Sequence, residues 1–381
     1  MTGLAILGST GSIGSQTLEV IRGLGDRFTI RGLAAGHVGE RFETQLAEWP
    51  LARAWSAGGR PDRLPGERWA DGGLEELATL EGVDLVVVAT TGMAALPAVL
   101  ASLRSGRHVA LANKETLVTG GHLVAAELDR LGGDRLGWLR PIDSEHSAIW
   151  QCLVGERMED VRRLVLTASG GPFRGREAST LAGVTPDEAL AHPTWRMGPK
   201  ISVDSATLVN KAFEVIEARW LYRLPYSSID AVIHPQSVVH SLVEFADGSY
   251  KAQLGPPDMR LPIRFALTYP HRLPSPARHA PPAEWGSLDF APLKVGDFPA
   301  FDTVLAAARL GGNRGTVLNA ADEIAVDAFL HRRLPLSSIP ATIEGAVARW
   351  GADEEPSLAG IVALDEEVRA ALSAELLQAH A

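Results

Sequence analysis

The chain of 381 residues has one cysteine, Cys152, so it can form no internal disulfide and fits a reducing compartment. No apolar stretch approaches the roughly 20 residues a membrane-spanning helix needs. The first apolar run, Leu4 to Leu7, is strand-length with no basic region before it, so no secretory signal is expected. A basic surplus is also missing. The formal net charge of −10 argues against nucleic-acid binding, which draws its affinity from Lys and Arg on phosphates. An anionic small molecule could bind only through a local polar or basic pocket. No internal repeat or low-complexity tract is found. These absences lead to the expectation of a cytoplasmic protein with neither a membrane nor a nucleic-acid partner. The rest of the composition, 46% apolar and 22% charged, is ordinary for a globular chain, and the length suits two or three domains.

Short β-branched runs alternate with helical patterns in the first third, which is the signature of a parallel sheet. Strands are expected at Leu4 to Leu7, Thr29 to Ala35, Val83 to Ala89 and His108 to Ala112, with helices at Ser15 to Leu24 and Leu96 to Leu103. The middle third mixes strands (Leu164 to Ala168, Ala231 to His234, Ser237 to Phe245) with one helix from about Ala206 to Tyr222. Dense prolines between Pro270 and Pro299 predict an extended crossover, and the pattern is helical from Asp302 on.

Residues 8–14, GSTGSIG, follow the first strand and open a helix, where a pyrophosphate can sit on free N–H groups and the helix dipole. The spacing is G-x-x-G-x-x-G, and a glycine turn without ligand is the alternative. At the end of the second strand an NAD enzyme usually carries a carboxylate for the ribose hydroxyls. Here Gly36-His37 stands in that place, with Arg41 nearby and no carboxylate until Glu40, which favours the 2′-phosphate of NADPH.

Asp143-Ser144-Glu145 sets two carboxylates two residues apart, and on an extended backbone they would face one space. Their repulsion calls for a cation. Glu214 adds a third carboxylate, on a helix face shared with Asn210 and Lys211. Three carboxylates without histidine or cysteine suit a hard cation such as Mg²⁺ or Mn²⁺. A Lys211–Glu214 surface pair is the alternative. Asp204 and Ser205 read as N-cap candidates for that helix, and Ser205 also reads as a phosphate ligand with Ser169, Asn210 and Lys211. The segment His192 to Pro199 reads as a loop with Trp195 as a hydrophobic cover, either an active-site lid or a loop packed on the core.

In these strings the sequence resembles the 1-deoxy-D-xylulose 5-phosphate reductoisomerase family of non-mevalonate isoprenoid biosynthesis. They are GSTGSIG (8–14), LANKE (111–115), DSEH (143–146), SGGPFR (169–174), the run 192–214, IHPQSVVH (233–240) and PDMR (257–260), in family order over nearly the whole chain. The resemblance implies an α/β protein and a V-shaped homodimer subunit. An N-terminal Rossmann-like parallel-sheet domain (1–142) would bind NADPH. A central α+β connective and catalytic domain (143–272) would carry the metal site and flap. An extended proline-rich linker (273–300) and a C-terminal α-helical bundle (301–381) would follow.

The implied reaction takes 1-deoxy-D-xylulose 5-phosphate and NADPH to 2-C-methyl-D-erythritol 4-phosphate, with Mg²⁺ or Mn²⁺, Co²⁺ being a further candidate. Asp143, Glu145 and Glu214 would be the metal ligands, and Lys114, Glu115 and His146 would join them in catalysis. Lys114, Ser144 and Glu145 would touch substrate. Ser169, Ser205, Asn210 and Lys211 would hold its phosphate, under a flap of His192, Trp195 and Met197, with His240 bordering the site. Thr10, Gly11, Ser12, Ile13, Gly36, His37, Asn113, Glu115, Gly198 and Met259 would contact NADPH. Two departures stand out: His37-Val38 after Gly36, and Asp322 where the family pattern leads to Asn. The rival readings are another NADP-dependent, metal-assisted dehydrogenase, which would want arginines for a substrate carboxylate, and a silent nucleotide-binding protein, which would need none of these carboxylates.

Overall fold

The computed structural model describes residues 1–195, 197–276 and 281–378, with Ala178 and Ser179 described by backbone alone. The chain divides into two compact units. The first comprises residues 1–116, 123–150 and 258–278, and the second residues 117–122, 151–257 and 279–381.

In the first unit β1 (Thr2–Leu7), β2 (Phe28–Ala35), β3 (Arg53–Ser56), β4 (Leu85–Val88), β5 (His108–Leu111) and β6 (Leu139–Pro141) form a sheet of order β3-β2-β1-β4-β5-β6. Every pairing is parallel. Parallel sheets with crossover helices bury both faces, and the central strands bury nearly all their side chains; β4 is Leu85-Val86-Val87-Val88, each fully buried. The strand order reverses between β1 and β4, the switch point beside which open parallel sheets bind ligands beyond their strands' carboxyl ends. Leu18 and Ile21 of the helix Ser12–Arg22 join the core beside Leu4 and Ile6. The late helix Arg260–Thr268 returns to this unit: Ile263 and Phe265 enter the same core, and Arg140 on β6 donates to the Ala266 carbonyl at 2.9 Å.

In the second unit β7 (Val161–Ala168), β8 (Ile229–Ile233), β9 (Val239–Phe245), β10 (Tyr250–Leu254) and β11 (Ala291–Pro292) make a mixed sheet of order β10-β9-β7-β8-β11. Only β7 and β8 run parallel. The helices Pro199–Thr207 and Val209–Tyr222 belong to the same unit as the C-terminal helices Pro299–Leu310, Arg314–Leu330, Ile339–Trp350 and Leu358–Gln378. Among the described residues of the proline-dense stretch up to Phe298, the regular structure is the turn Pro282–Glu284 and the pairing of β11 with β8.

Three expectations need correction. Asp143-Ser144-Glu145 is not extended. The chain leaves β6 at Pro141 and Ser144 already begins the helix Ser144–Leu153, whose first bond runs from the Ser147 N–H to the Asp143 carbonyl. The two carboxylates therefore flank a helix start rather than alternate along a strand. The helix expected from Ala206 is two helices, broken where Leu208 turns left-handed at φ 57°. Asp204 and Ser205 consequently lie in the last turns of the first helix and cap nothing in the second.

Candidate active site

In the first unit the nucleotide turn is shaped by two glycines. Gly8 has φ +90°, and a Cβ there would lie 2.4 Å from the Ala89 carbonyl oxygen. A Cβ on Gly14 would lie 2.2 Å from the Gly8 oxygen, so the helix start can approach the turn only without a side chain. The Gly8 and Ser9 N–H groups both donate to the Ala34 carbonyl, at 3.0 and 2.7 Å. No side chain caps the helix that opens after Gly11, which leaves the first-turn N–H groups at Ser12 and Ile13 for a ligand. Gln45, which no sequence signal singled out, clamps the turn from behind. The Ser9 hydroxyl donates to its Oε1 at 2.7 Å and its Nε2 donates to the Ser9 carbonyl at 2.9 Å. Arg41 donates to the Thr10 carbonyl at 2.9 Å. Gly36 and His37, which follow β2, and Glu40, which opens the helix Glu40–Glu48, are all exposed.

At the carboxyl ends of β4 and β5 the buried Asn113 ties the loops together. Its amide donates to the Thr90 and Gly92 carbonyls at 3.0 and 2.7 Å and to Glu115 at 3.0 Å. Its Oδ1 accepts from the Thr116 N–H at 2.9 Å, capping the helix that follows. Lys114, next in sequence, places Nζ 3.1 Å from Asp143 Oδ2, and both are largely buried. His146 Nδ1 lies 3.8 Å from the same oxygen, and the Ser144 hydroxyl bonds Glu145. Met259 packs on the core of this unit.

In the second unit Glu214 and Lys211 are buried and form an ion pair one helical turn apart, while Asn210 Nδ2 donates to Glu214 Oε1 at 2.5 Å. The surface-pair alternative fails on burial: both side chains are under 5% exposed. Ser169 and Ser205 come together through Gly171. Its φ is +64°, and a Cβ there would lie 2.6 Å from the Ser205 carbonyl oxygen, so the loop after β7 seats directly on the end of the Ser205 helix.

Of the loop expected over 192–199, residues 192–195, 197 and 198 carry no helix or strand, while Pro199 already opens the helix Pro199–Thr207; Arg196 lies outside the described residues. The loop is organised by His192. Its Nδ1 accepts from the Thr194 and Trp195 N–H groups at 3.1 and 2.9 Å, so the ring proton sits on Nε2 and points at Ser169 Oγ, 3.1 Å away. Trp195 is only half-buried, with its ring 6.4 Å from that of His240. Met197 is half-buried and Gly198 precedes the next helix.

Burial holds the His192 imidazole below the ordinary histidine range. Between that lowered value and about 6.5 the folded chain binds fewer protons than the unfolded one. The loop's contribution is therefore complete above roughly pH 6.5 and lost as pH falls through the folded pKa, where a protonated Nδ1 can no longer accept. An imidazole titration by NMR should place His192 below the ordinary value. A pKa at or above about 6.5 would show that the ring is not held neutral.

The sequence matches three family models. They are 1-deoxy-D-xylulose 5-phosphate reductoisomerase over residues 4–58 and 65–121, the C-terminal domain of the same enzyme over 139–222, and a DXP reductoisomerase C-terminal domain over 254–371. The chain belongs to the 1-deoxy-D-xylulose 5-phosphate reductoisomerase family. It is 45% identical to the reductoisomerase of Pelotomaculum thermopropionicum, covering 97% of each chain. With that of Chlorobium chlorochromatii it shares 48% identity over 90% of this chain and 91% of the other. Among solved structures it resembles a DOX-P reductoisomerase in complex with NADPH, fosmidomycin and magnesium, with TM-score 0.88, 36% identity and coverage of 99% and 98%. The Zymomonas mobilis reductoisomerase in complex with NADPH gives TM-score 0.85 at 35% identity, covering 98% and 99%.

Proposed function

We propose that this chain converts 1-deoxy-D-xylulose 5-phosphate to 2-C-methyl-D-erythritol 4-phosphate with NADPH and a divalent cation, as a reductoisomerase of the non-mevalonate isoprenoid route. The reading rests on end-to-end family membership, and relatives of the same fold bind NADPH and magnesium. The observation that carries it to residues is the pairing of two of the three candidate metal carboxylates, each with a lysine inside its own unit, Lys114 with Asp143 and Lys211 with Glu214.

Asp143, Glu145 and Glu214 supply only carboxylate oxygens, a donor set that fits Mg²⁺, Mn²⁺ or Co²⁺. The glycine cradle at residues 8–14, which a Cβ would fill, fits a pyrophosphate. When bound, the cation polarises the substrate carbonyl and steadies the charge that develops on its oxygen, and NADPH supplies the hydride. Every other task falls to side chains. Thr10, Gly11, Ser12 and Ile13 receive the pyrophosphate, and Gly36 and His37 border the 2′-phosphate. Asn113, Glu115, Gly198 and Met259 line the nicotinamide end. Ser144 and Lys114 orient the substrate beside His146. Ser169, Ser205, Asn210 and Lys211 hold a phosphate remote from the reacting bonds, so its binding energy serves to position the substrate and bring down His192, Trp195 and Met197.

Lys211 has two roles in this scheme: it pairs with the buried Glu214 carboxylate, and it would hold the substrate's phosphate. Lys211→Ala should accordingly raise KM for the substrate by about 10- to 100-fold, the worth of one charge-assisted hydrogen bond, with a smaller effect on kcat. Steady-state kinetics at saturating NADPH test this, and an unchanged KM would remove Lys211 from the phosphate pocket.

The working form we propose is a cytoplasmic homodimer of the four-part domain order read from the sequence. Light scattering tests the dimer, and a monomer at assay concentration would count against it. Among the described residues no helix is long and apolar enough to cross a membrane. The deciding assay follows NADPH oxidation with 1-deoxy-D-xylulose 5-phosphate, with and without Mg²⁺ or Mn²⁺. Absence of turnover under both conditions would leave the two rivals, a hydroxy-acid dehydrogenase and a silent nucleotide-binding protein.

A further inference from the structure

The helix Pro199–Thr207 begins where the flap ends and carries Ser205 near its other end. It has nine residues, roughly 13 Å at 1.5 Å per residue, so a shift at one end is felt at the other. Its far end is fixed by the close seat of Gly171 on the Ser205 carbonyl. Its near end is held by charge. Lys200, in the first turn, places Nζ 2.7 Å from Asp204 Oδ2 and 2.8 Å from Asp322 Oδ2. Asp322 is on the helix Arg314–Leu330 of the C-terminal bundle, in the same compact unit. The ammonium also lies 5.2 Å from the centre of the Phe213 ring, the residue before Glu214.

Both carboxylates are buried, Asp322 completely. The next acidic residue, Glu323, is taken by Arg369 at 2.9 Å, and Arg369 also pairs with Asp365 at 2.5 Å. Lys200 is thus the cation nearest Asp322 in these pairings. Burial pushes the Asp322 carboxyl up and the Lys200 ammonium opposes that shift. A buried ion pair adds little stability over a well-packed apolar pair, but it holds one geometry.

We propose that Lys200, held by Asp322 of the C-terminal bundle, is a positioning residue that sets the flap hinge and the phosphate-binding end of the Ser205 helix. The proposal rests on the reductoisomerase reading for the identity of the bound phosphate. It assigns the C-terminal bundle a part in substrate binding, although none of its side chains is placed in the phosphate pocket.

The test is a double-mutant cycle on the full chain with 1-deoxy-D-xylulose 5-phosphate and Mg²⁺. Lys200→Met and Asp322→Leu should each raise KM for the sugar phosphate by about tenfold, with kcat and KM for NADPH within about twofold. The double variant should be no worse than either single one, because the pair acts as a unit. Asp322→Asn, which keeps an oxygen for the ammonium, should restore KM to within about threefold of wild type. If Lys200→Met does not fold, Lys200→Gln carries the same comparison. An unchanged KM, strictly additive effects, or a parallel loss of kcat, both KM values and thermal stability would overturn the proposal. Wild-type protein without turnover would instead sink the functional reading on which it rests.

Discussion

Glu214→Gln is expected to lower kcat by roughly 10³-fold, the upper range for removing one electrostatic contact from a transition state, with NADPH affinity held within about twofold. The substitution keeps the size of the side chain and one carbonyl oxygen, so Asn210 retains its acceptor. It removes the carboxylate charge that pairs with the buried Lys211 ammonium. It also reduces the proposed ligand set from three anionic carboxylates to two, which weakens a hard cation more than any neutral change nearby.

Two measurements separate this from a structural effect. The activity of the variant should rise with added Mg²⁺ well beyond the concentration that saturates wild type, because a ligand has been weakened rather than the pocket destroyed. Titration with NADPH, followed by its fluorescence, should be nearly unchanged, because the nucleotide turn belongs to the other compact unit. Equal losses of NADPH and metal binding, together with a large fall in thermal stability, would instead make Glu214 a residue of the fold.

The parts of this protein that could be read from its sequence are those whose cause is local. Gly8 is demanded by its own positive φ and Gly14 by contacts within the turn, and the hydrophobic runs of β1, β4 and β5 follow from burial on both faces. Asp143, Glu145 and Glu214 are legible as candidate ligands from their chemistry, but the backbone carrying the first two is not. Asp143 followed by Ser144 and Glu145 is also the grammar of a helix start, and the apolar residues Ala148, Ile149 and Leu153 that follow fit the helix. The break at Leu208 has no signal, since a leucine at φ 57° pays no heed to its own preference and is held by its surroundings. Distance explains the remaining omissions. Gln45 meets Ser9 across 36 residues, Lys200 meets Asp322 in another helix of its unit, and the helix Arg260–Thr268 completes a core begun at Leu4. No pattern within a single window announces any of them.

Gly14→Ala should raise KM for NADPH by about 100-fold, and the size of that effect comes from what the new methyl group would meet. Its Cβ would lie 2.2 Å from the Gly8 carbonyl oxygen, 2.6 Å from Ser9 Cα and 2.7 Å from the Ser9 carbonyl carbon. All three are backbone atoms, so no rotamer change can make room. Gly8 cannot withdraw, because it is itself pressed against Ala89 and tied with Ser9 to the Ala34 carbonyl. Gln45 holds Ser9 from the opposite side. The helix Ser12–Arg22 must then move outward by about an ångström, carrying with it the N–H groups proposed to receive the pyrophosphate, and a misplacement of that size costs on the order of 100-fold. The residues proposed to hold the substrate's phosphate belong to the other unit, so KM for 1-deoxy-D-xylulose 5-phosphate should change far less. Circular dichroism would confirm that the variant is folded. A folded Gly14→Ala protein with an unaltered KM for NADPH would mean that the dinucleotide does not use this turn.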